Sequence, residues 1–484
     1  MALQASIRQA VRHGPRVFSP FLGFTAGSLD PGDRSGYFKE RYERMQLYST
    51  IAPADYERRN YAKDVNQYTD VLYNLNNANR PFLLRDVYDD MILDGIQPHS
   101  DTFVPLLVGC MKGSRLQDAF YFYDEMKCMG YVPDDLAFNC LVATCGRCRQ
   151  QRRAFQVVEE MKDFNLRPKM KTLTALLGAC GAAGMPKEAA GVVQRITESG
   201  LTLNKYCYAA LIAAEKNQLL KRGDPFEKII EILNQARSWS SNELFGGDRE
   251  RTENVDEIDE YIYCLPTIDF VRGRGNLVDR KLTVYHAALC ACADLKSTAA
   301  LRIVVEMLKQ DGYQPDIFCV AQILRCHIAC KEFGVAMKAL TGYLNSGRPT
   351  RSELFAILIL EAMRGFSVDG MDMAKKLLQE MLKKGLPLVN KFHGDLLELA
   401  SQEPGGDYSV ANLLFDLMQK RKVSLPRRIV DSYLRGLQRR DVPEGDPRMT
   451  QVREFLNRRT PGRVERPPRR QLEGGERGPK QLES

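Results

Sequence analysis

Apolar residues along this chain follow a helical beat broken by short polar gaps. In residues 135–169, Phe138, Leu141, Val142 and Cys145 fall at i, i+3, i+4 and i+7, one face of a helix. Arg147 to Gln151 is a polar break, and Ala154, Phe155, Val157, Val158 and Met161 mark a second helix. Asn165-Leu166-Arg167-Pro168 ends it, because proline lacks an amide donor and restricts the residue before it. The pattern predicts a helical hairpin, and it recurs. Tyr68, Phe103, Phe138, Leu173 and Tyr208 stand 35 residues apart. Met91, Met126 and Met161 keep the same interval, as do Pro98, Pro133 and Pro168, and Gly95 and Gly130, with Gly200 three periods after Gly95. A hairpin with apolar faces this broad cannot bury them alone. The period therefore predicts a stacked array with an extended binding surface, in place of the several globular domains that 484 residues would otherwise suggest.

The residues within each period resemble a known family. Asn139-Cys140-Leu141-Val142, Ala154-Phe155, Glu159-Glu160-Met161-Lys162 and Pro168 are similar to the pentatricopeptide repeat, as are Asp118-Ala119-Phe120, Asp124-Glu125-Met126-Lys127 and Gly130-Tyr131-Val132-Pro133-Asp134. The 35-residue length favours it over the 34-residue tetratricopeptide pattern. Units begin at 65, 100, 135, 170 and 205, then resume at 282, 317 and about 351 and 389. The resemblance covers roughly 65–440 and implies an all-α, right-handed α-solenoid of about nine repeats. In that family such solenoids usually bind RNA in organelles.

The expected organisation is a mitochondrial presequence over 1–29, an N-terminal helical cap over 30–64 and repeats 1–5 over 65–237. An acidic insertion or linker over 238–281 follows, then repeats 6–9 and an end helix over 282–440, and a basic, partly disordered tail over 441–484. Arg8, Arg12 and Arg16 lie beside the apolar face of Leu3, Ile7 and Val11, with no acid before Asp30. That is the character of a mitochondrial leader directing the chain to the matrix, a chloroplast leader being the lesser alternative. No run of about 18 apolar residues occurs, so no membrane span is expected.

Charge is unevenly placed. Thirteen arginines and six acids from Arg427 to Arg470 give +7, the first 29 residues give +3, and the whole chain carries +8. Everything else therefore sums to −2, and the repeats are nearly neutral. Proteins that neutralise many phosphates usually present a basic surface. Here the basicity sits in the tail, where Arg458, Arg459, Arg469 and Arg470 stand among prolines and glycines. Such a tail can order on folded RNA or simply act as a solubilising end.

The 13 cysteines include Cys145-Gly-Arg-Cys148, which tempts a zinc reading. The period argues otherwise: Cys110, Cys145 and Cys180 are 35 apart, and Cys292 holds the same place in its unit. One thiol per repeat suits packing between helices, and successive repeats cannot bring four ligands to one tetrahedral metal. No HxxxH, HxE, phosphate loop or nucleophile elbow is present. No metal, cofactor or catalytic role is expected.

The family resemblance also implies that a repeat's fifth and last residues together contact one base. The pairs are Thr69 with His99, Val104 with Asp134, Asn139 with Lys169, Thr174 with Asn204, His286 with Asp316, Ala321 with Thr350, Phe355 with Leu388 and His393 with Arg427. Only Thr174 with Asn204 matches a preferred combination. Val104, Ala321 and Phe355 cannot hydrogen-bond through their side chains. His99, Lys169 and Arg427 suit phosphates. A long strand read base by base is thus not expected. From Ser238 to Arg280 there are 10 acids and 5 basic residues; Gly246 to Glu260 looks flexible, while apolar Tyr261-Ile262-Tyr263-Cys264-Leu265-Pro266 could dock on the array or on a protein. The whole favours a non-catalytic ribonucleoprotein scaffold, most consistent with a mitoribosomal subunit that holds structured rRNA and neighbouring ribosomal proteins. The alternative is a factor for processing, stability or translation of one mitochondrial transcript.

Overall fold

The structure, a computed structural model, describes residues 37–39, 41–43, 61–222, 226–243, 257–271, 278–387, 390–406, 408–421, 427–443 and 445–458. The expected presequence lies outside these residues, as do most of the 30–64 cap, residues 244–256 of the insertion, and Arg459, Arg469 and Arg470. The chain is all-α and divides into two compact units, Met1–Thr350 and Arg351–Ser484.

In the first unit the hairpins are α1 Val65–Asn77 with α2 Leu84–Leu93, α3 Ser100–Gly113 with α4 Leu116–Cys128, and α5 Asp135–Arg147 with α6 Gln151–Glu160. Next come α7 Met170–Ala183 with α8 Pro186–Glu198, and α9 Lys205–Arg222 with α10 Glu227–Glu243. After two short helices, α11 Glu257–Ile262 and α12 Ile268–Val271, the pairs resume as α13 Thr283–Asp294 with α14 Thr298–Gln310, and α15 Ile317–Ala329 with α16 Phe333–Asn345.

Local chemistry sets this rhythm. Asp64, Asp134 and Asp316 sit just before first helices and accept from the amides of Gln67 (2.9 Å), Ala137 (2.8 Å) and Cys319 (2.8 Å), which satisfies an otherwise orphaned donor. The periodic glycines close the second helices. Gly95 and Gly130 have φ of +71° and +72°, the left-handed conformation that ends a helix without a Cβ penalty. Asn165 takes the place where the glycine beat lapses, at φ +57°, as asparagine tolerates better than most residues.

First helices α1, α3, α5, α7, α9, α13 and α15 each pack on the next, forming one continuous layer, while second helices pack mainly on their own partners. Small residues allow the close approach. A Cβ on Gly146 would stand 2.9 Å from the Ala179 Cα, and one on Gly181 would stand 2.7 Å from the Ala210 carbonyl oxygen. Tyr68, Phe103 and Phe138 are at most 1% exposed, as are Cys110, Cys145 and Cys180 between helices. Tyr208 and Tyr285 stand 77 residues apart, an interval that suggests a replaced or degenerate unit, but α9 packs directly on α13. The layer therefore continues unbroken, and the extra residues are looped out.

In the second unit α17 Ser352–Met363 packs on α18 Val368–Lys383 and α19 Asn390–Ala400; α19 packs on α20 Ser409–Lys420 and α21 Arg427–Gln438; and α21 packs on α22 Pro447–Arg458. Helix α22 carries the helical part of the chain beyond residue 440, into the stretch read from sequence as tail. Tyr408, Tyr433 and Phe415 stack at its centre, with Tyr433–Phe415 centroids 4.5 Å apart. Among the described residues no helix is long and apolar enough to cross a membrane.

Candidate nucleic-acid interface

The candidate reading residues lie on or beside the first helices, and most are already engaged there. Thr69 Oγ1 donates to the Val65 carbonyl at 2.8 Å and lies 3.1 Å from Thr102 Oγ1 on the next first helix. Thr174 is fully buried; its hydroxyl donates to the Met170 carbonyl at 2.8 Å and sits 3.5 Å from Cys207 Sγ. Asn204 is half-buried and caps α9 through the Cys207 amide at 3.0 Å. In the one pair with a preferred combination, Thr174 Oγ1 and Asn204 Oδ1 thus serve helix architecture. His99, Asp134, Lys169 and Asp316, each the last residue of its repeat, are N-caps of the next first helix, a position that favours Asp and Asn.

His286 is 1% exposed, and its Nε2 lies 2.9 Å from Asp316 Oδ2. Burial pushes the Asp316 carboxyl up, but the bonds from His286 and from the Cys319 and Asp279 amides outweigh this and hold it below the usual range. His286, Asp316 and Cys319 bring three ligand-type atoms within 4.8 Å of one another, a trio that sequence spacing did not single out. The carboxylate is nevertheless fully used by protein donors, Oδ1 by the Cys319 amide and Oδ2 by His286 and the Asp279 amide. Asn139 is buried, and its Oδ1 has no hydrogen-bond partner among the described residues.

His99, Lys169 and Arg427 face solvent. His99 is exposed, its amide donating to Thr102 Oγ1 at 3.2 Å. Lys169 pairs with Asp135 at 2.5 Å with 73% of its side chain exposed. Arg427 lies 3.9 Å from Asp431, and Arg428 pairs with Glu398 at 2.8 Å across α21 and α19. Exposed pairs of this kind are worth at most about 1 kcal/mol, so a phosphate can exchange for the carboxylate. Arg458 is the last residue of α22.

The cysteines behave as packing residues. Burial pushes the Cys145 and Cys180 thiols up to about 12. Cys148 is half-buried, and its thiol donates to the Ser114 carbonyl at 3.3 Å.

The apolar run Tyr261–Pro266, expected to dock on the array or on a protein, lies on the array. Helix α11 packs on α3 and α5, and its helix formation replaces the flexibility expected near Glu260. Tyr261 is 1% exposed, beneath Lys112 of α3 and Arg147 of α5, whose cationic groups stand 5.4 and 5.3 Å from its ring centre. The Tyr263 ring stacks on Tyr206 of α9 at 4.6 Å and 26°. Its backbone crosses Gly178 of α7, where a Cβ would come 2.9 Å from the Tyr263 carbonyl oxygen. Phe270 meets Phe318 of α15 edge-on at 5.2 Å. Buried Glu260 is held by Thr267 at 2.6 Å and Arg280 at 3.3 Å, and the Asp279 amide reaches Asp316 at 2.9 Å. The segment thus runs across the first-helix layer from repeat 2 to repeat 7. The one hint in the sequence was the apolar run Tyr261–Pro266.

Comparison with known proteins agrees with this architecture. Residues 70–239 match the family described as the pentacotripeptide-repeat region of PRORP. The chain is 43% identical over 412 residues to the mitochondrial pentatricopeptide repeat-containing protein At4g35850 of Arabidopsis thaliana, covering 85% of this chain and 92% of that one. This chain belongs to the pentatricopeptide repeat family. The crystal structure of the repeat protein PPR10 in complex with an 18-nucleotide psaJ RNA element is matched over 88% of this chain and 59% of that one, at 18% identity and a TM-score of 0.35. PPR10 from maize is matched at 17% identity and a TM-score of 0.31. The chain spans about three-fifths of the PPR10 chain in its RNA complex.

Proposed function

We propose that this protein is a non-catalytic RNA-binding scaffold of mitochondrial gene expression, built into the mitochondrial ribosome, where it contacts rRNA through phosphates and neighbouring ribosomal proteins through its helical faces. Membership of the repeat family and the mitochondrial relative support RNA binding and the compartment. The ribosomal reading rests on one observation above all: Thr174 Oγ1, Asn204 Oδ1, His286 Nε2 and both carboxylate oxygens of Asp316 are engaged in bonds within the fold. Lys169, Arg427 and Arg428, by contrast, are exposed in weak ion pairs suited to phosphate exchange. Structured RNA is held in that way, by shape and backbone, more than by base edges.

The test is sedimentation of the native protein from mitochondrial lysate on a high-salt gradient. Comigration with one ribosomal subunit is the expected result. A free or small-complex distribution, together with tight binding to a single RNA sequence, would instead establish a transcript-specific processing, stability or translation factor.

A further inference from the structure

We propose that residues 257–271, with Asp279, are a built-in substitute for a single strand of RNA, occupying the first-helix layer and keeping it closed to one. Proteins hold unstacked bases by laying them on aromatic rings and under cationic side chains. Tyr261 lies beneath Lys112 and Arg147, Tyr263 stacks on Tyr206 at 4.6 Å, and Phe270 abuts Phe318. Three aromatic rings from one short, acid-rich stretch thus take positions that three bases could take, in order along the layer at α3 and α5, at α9 and at α15. The backbone is accommodated as a strand would be: Gly178 carries no Cβ where the Tyr263 carbonyl passes. At the far end the Asp279 amide bonds to Asp316, the partner of His286, so the segment also engages one of the candidate reading pairs. A segment present only to fill a gap would need apolar bulk, but would not need rings beneath two cations and on a tyrosine face. This inference is independent of the ribosomal reading, since a closed layer is compatible with either cellular role.

The experiment uses the full chain and a fluorescently labelled 15-nucleotide oligouridylate, with an RNA hairpin of equal length as control, followed by anisotropy. Two variants open the layer by different routes. Tyr261→Ala combined with Tyr263→Ala removes two of the rings, and Gly178→Ala pushes the segment's backbone off α7 while leaving every station intact. Both should bind the single strand at least tenfold more tightly than the parent, with hairpin affinity changed less than twofold. Circular dichroism checks folding; if the tyrosine double variant is unfolded, Gly178→Ala alone decides. Folded variants that bind oligouridylate no more tightly than the parent overturn the proposal. So does a parent protein that ultraviolet-crosslinks to oligouridylate through Tyr206.

Discussion

Asp294, the last residue of α13, accepts from Lys216 Nζ of α9 at 2.8 Å and from Arg325 of α15. One carboxylate thereby fastens three consecutive first helices at the place where the chain makes its long excursion. The three side chains are only 12–18% exposed. Asp294→Ala should therefore behave as the breaking of a buried pair and leave two cations facing each other, at a cost of about 3 kcal/mol. The loss should be local, because in a stack of repeats stability is set between neighbours. Urea unfolding with hydrogen exchange read helix by helix should show α9, α13 and α15 losing protection while α1 and α3 keep theirs. Replacing the trio by apolar residues, Lys216→Met with Asp294→Leu and Arg325→Met, should recover stability to within about 1 kcal/mol of the parent.

The pH dependence gives an independent handle. Burial pushes the Asp294 carboxyl up, but Lys216 and Arg325 more than offset this and hold it below its ordinary 3.8. A depressed acid contributes stability that is fully present above the unfolded value and lost as pH falls through the folded one. The gap between the parent and Asp294→Asn should therefore be constant at neutral pH and shrink below about pH 4. A single-substitution cost under about 1 kcal/mol, or a gap that widens on acidification, would refute the account.

Two further outcomes follow from packing. Gly181→Val should destabilise by about 1–3 kcal/mol in thermal unfolding, because the added Cβ would stand 2.7 Å from the Ala210 carbonyl oxygen and force α7 from α9. Cys145 and Cys180, with thiols held near 12, should react with a thiol reagent at pH 8 only after denaturation, while half-buried Cys128 reacts sooner.

The helical array was readable from sequence because its information is local and repeated. The cap residues Asp134 and Asp316, the closing Gly95 and Gly130, and the buried Tyr68 and Phe138 hold equivalent places in their repeats, so the rule is restated along the chain despite lapses such as Asn165 and Lys169. First helices begin at 65, 100, 135, 170 and 205, the positions from which the period counts its units. The engagement of the reading residues was not legible. That Asp316 would be shared among His286, the Cys319 amide and the Asp279 amide depends on three pieces of chain meeting. Nor could the path of residues 257–271 be read. Its contacts draw about one residue from each helix it crosses, Lys112, Arg147, Gly178, Tyr206 and Phe318; Lys112 and Arg147 share one place in the repeat, and Tyr206 and Phe318 another, but nothing in residue type marks these places as a landing site.

That path has a consequence for the order in which the molecule assembles. Stacked hairpins can nucleate anywhere and grow by short loop closures. Cys264, however, comes to rest beside Ala143, 121 positions earlier in the chain, and Phe270 beside Phe318 on the opposite flank. Neither landing place exists until the hairpins on both sides have formed. The segment is then the final piece to lock, and a chain stalled before that step would resemble the finished protein in helix content while still lacking the bond from Cys264 to Ala143.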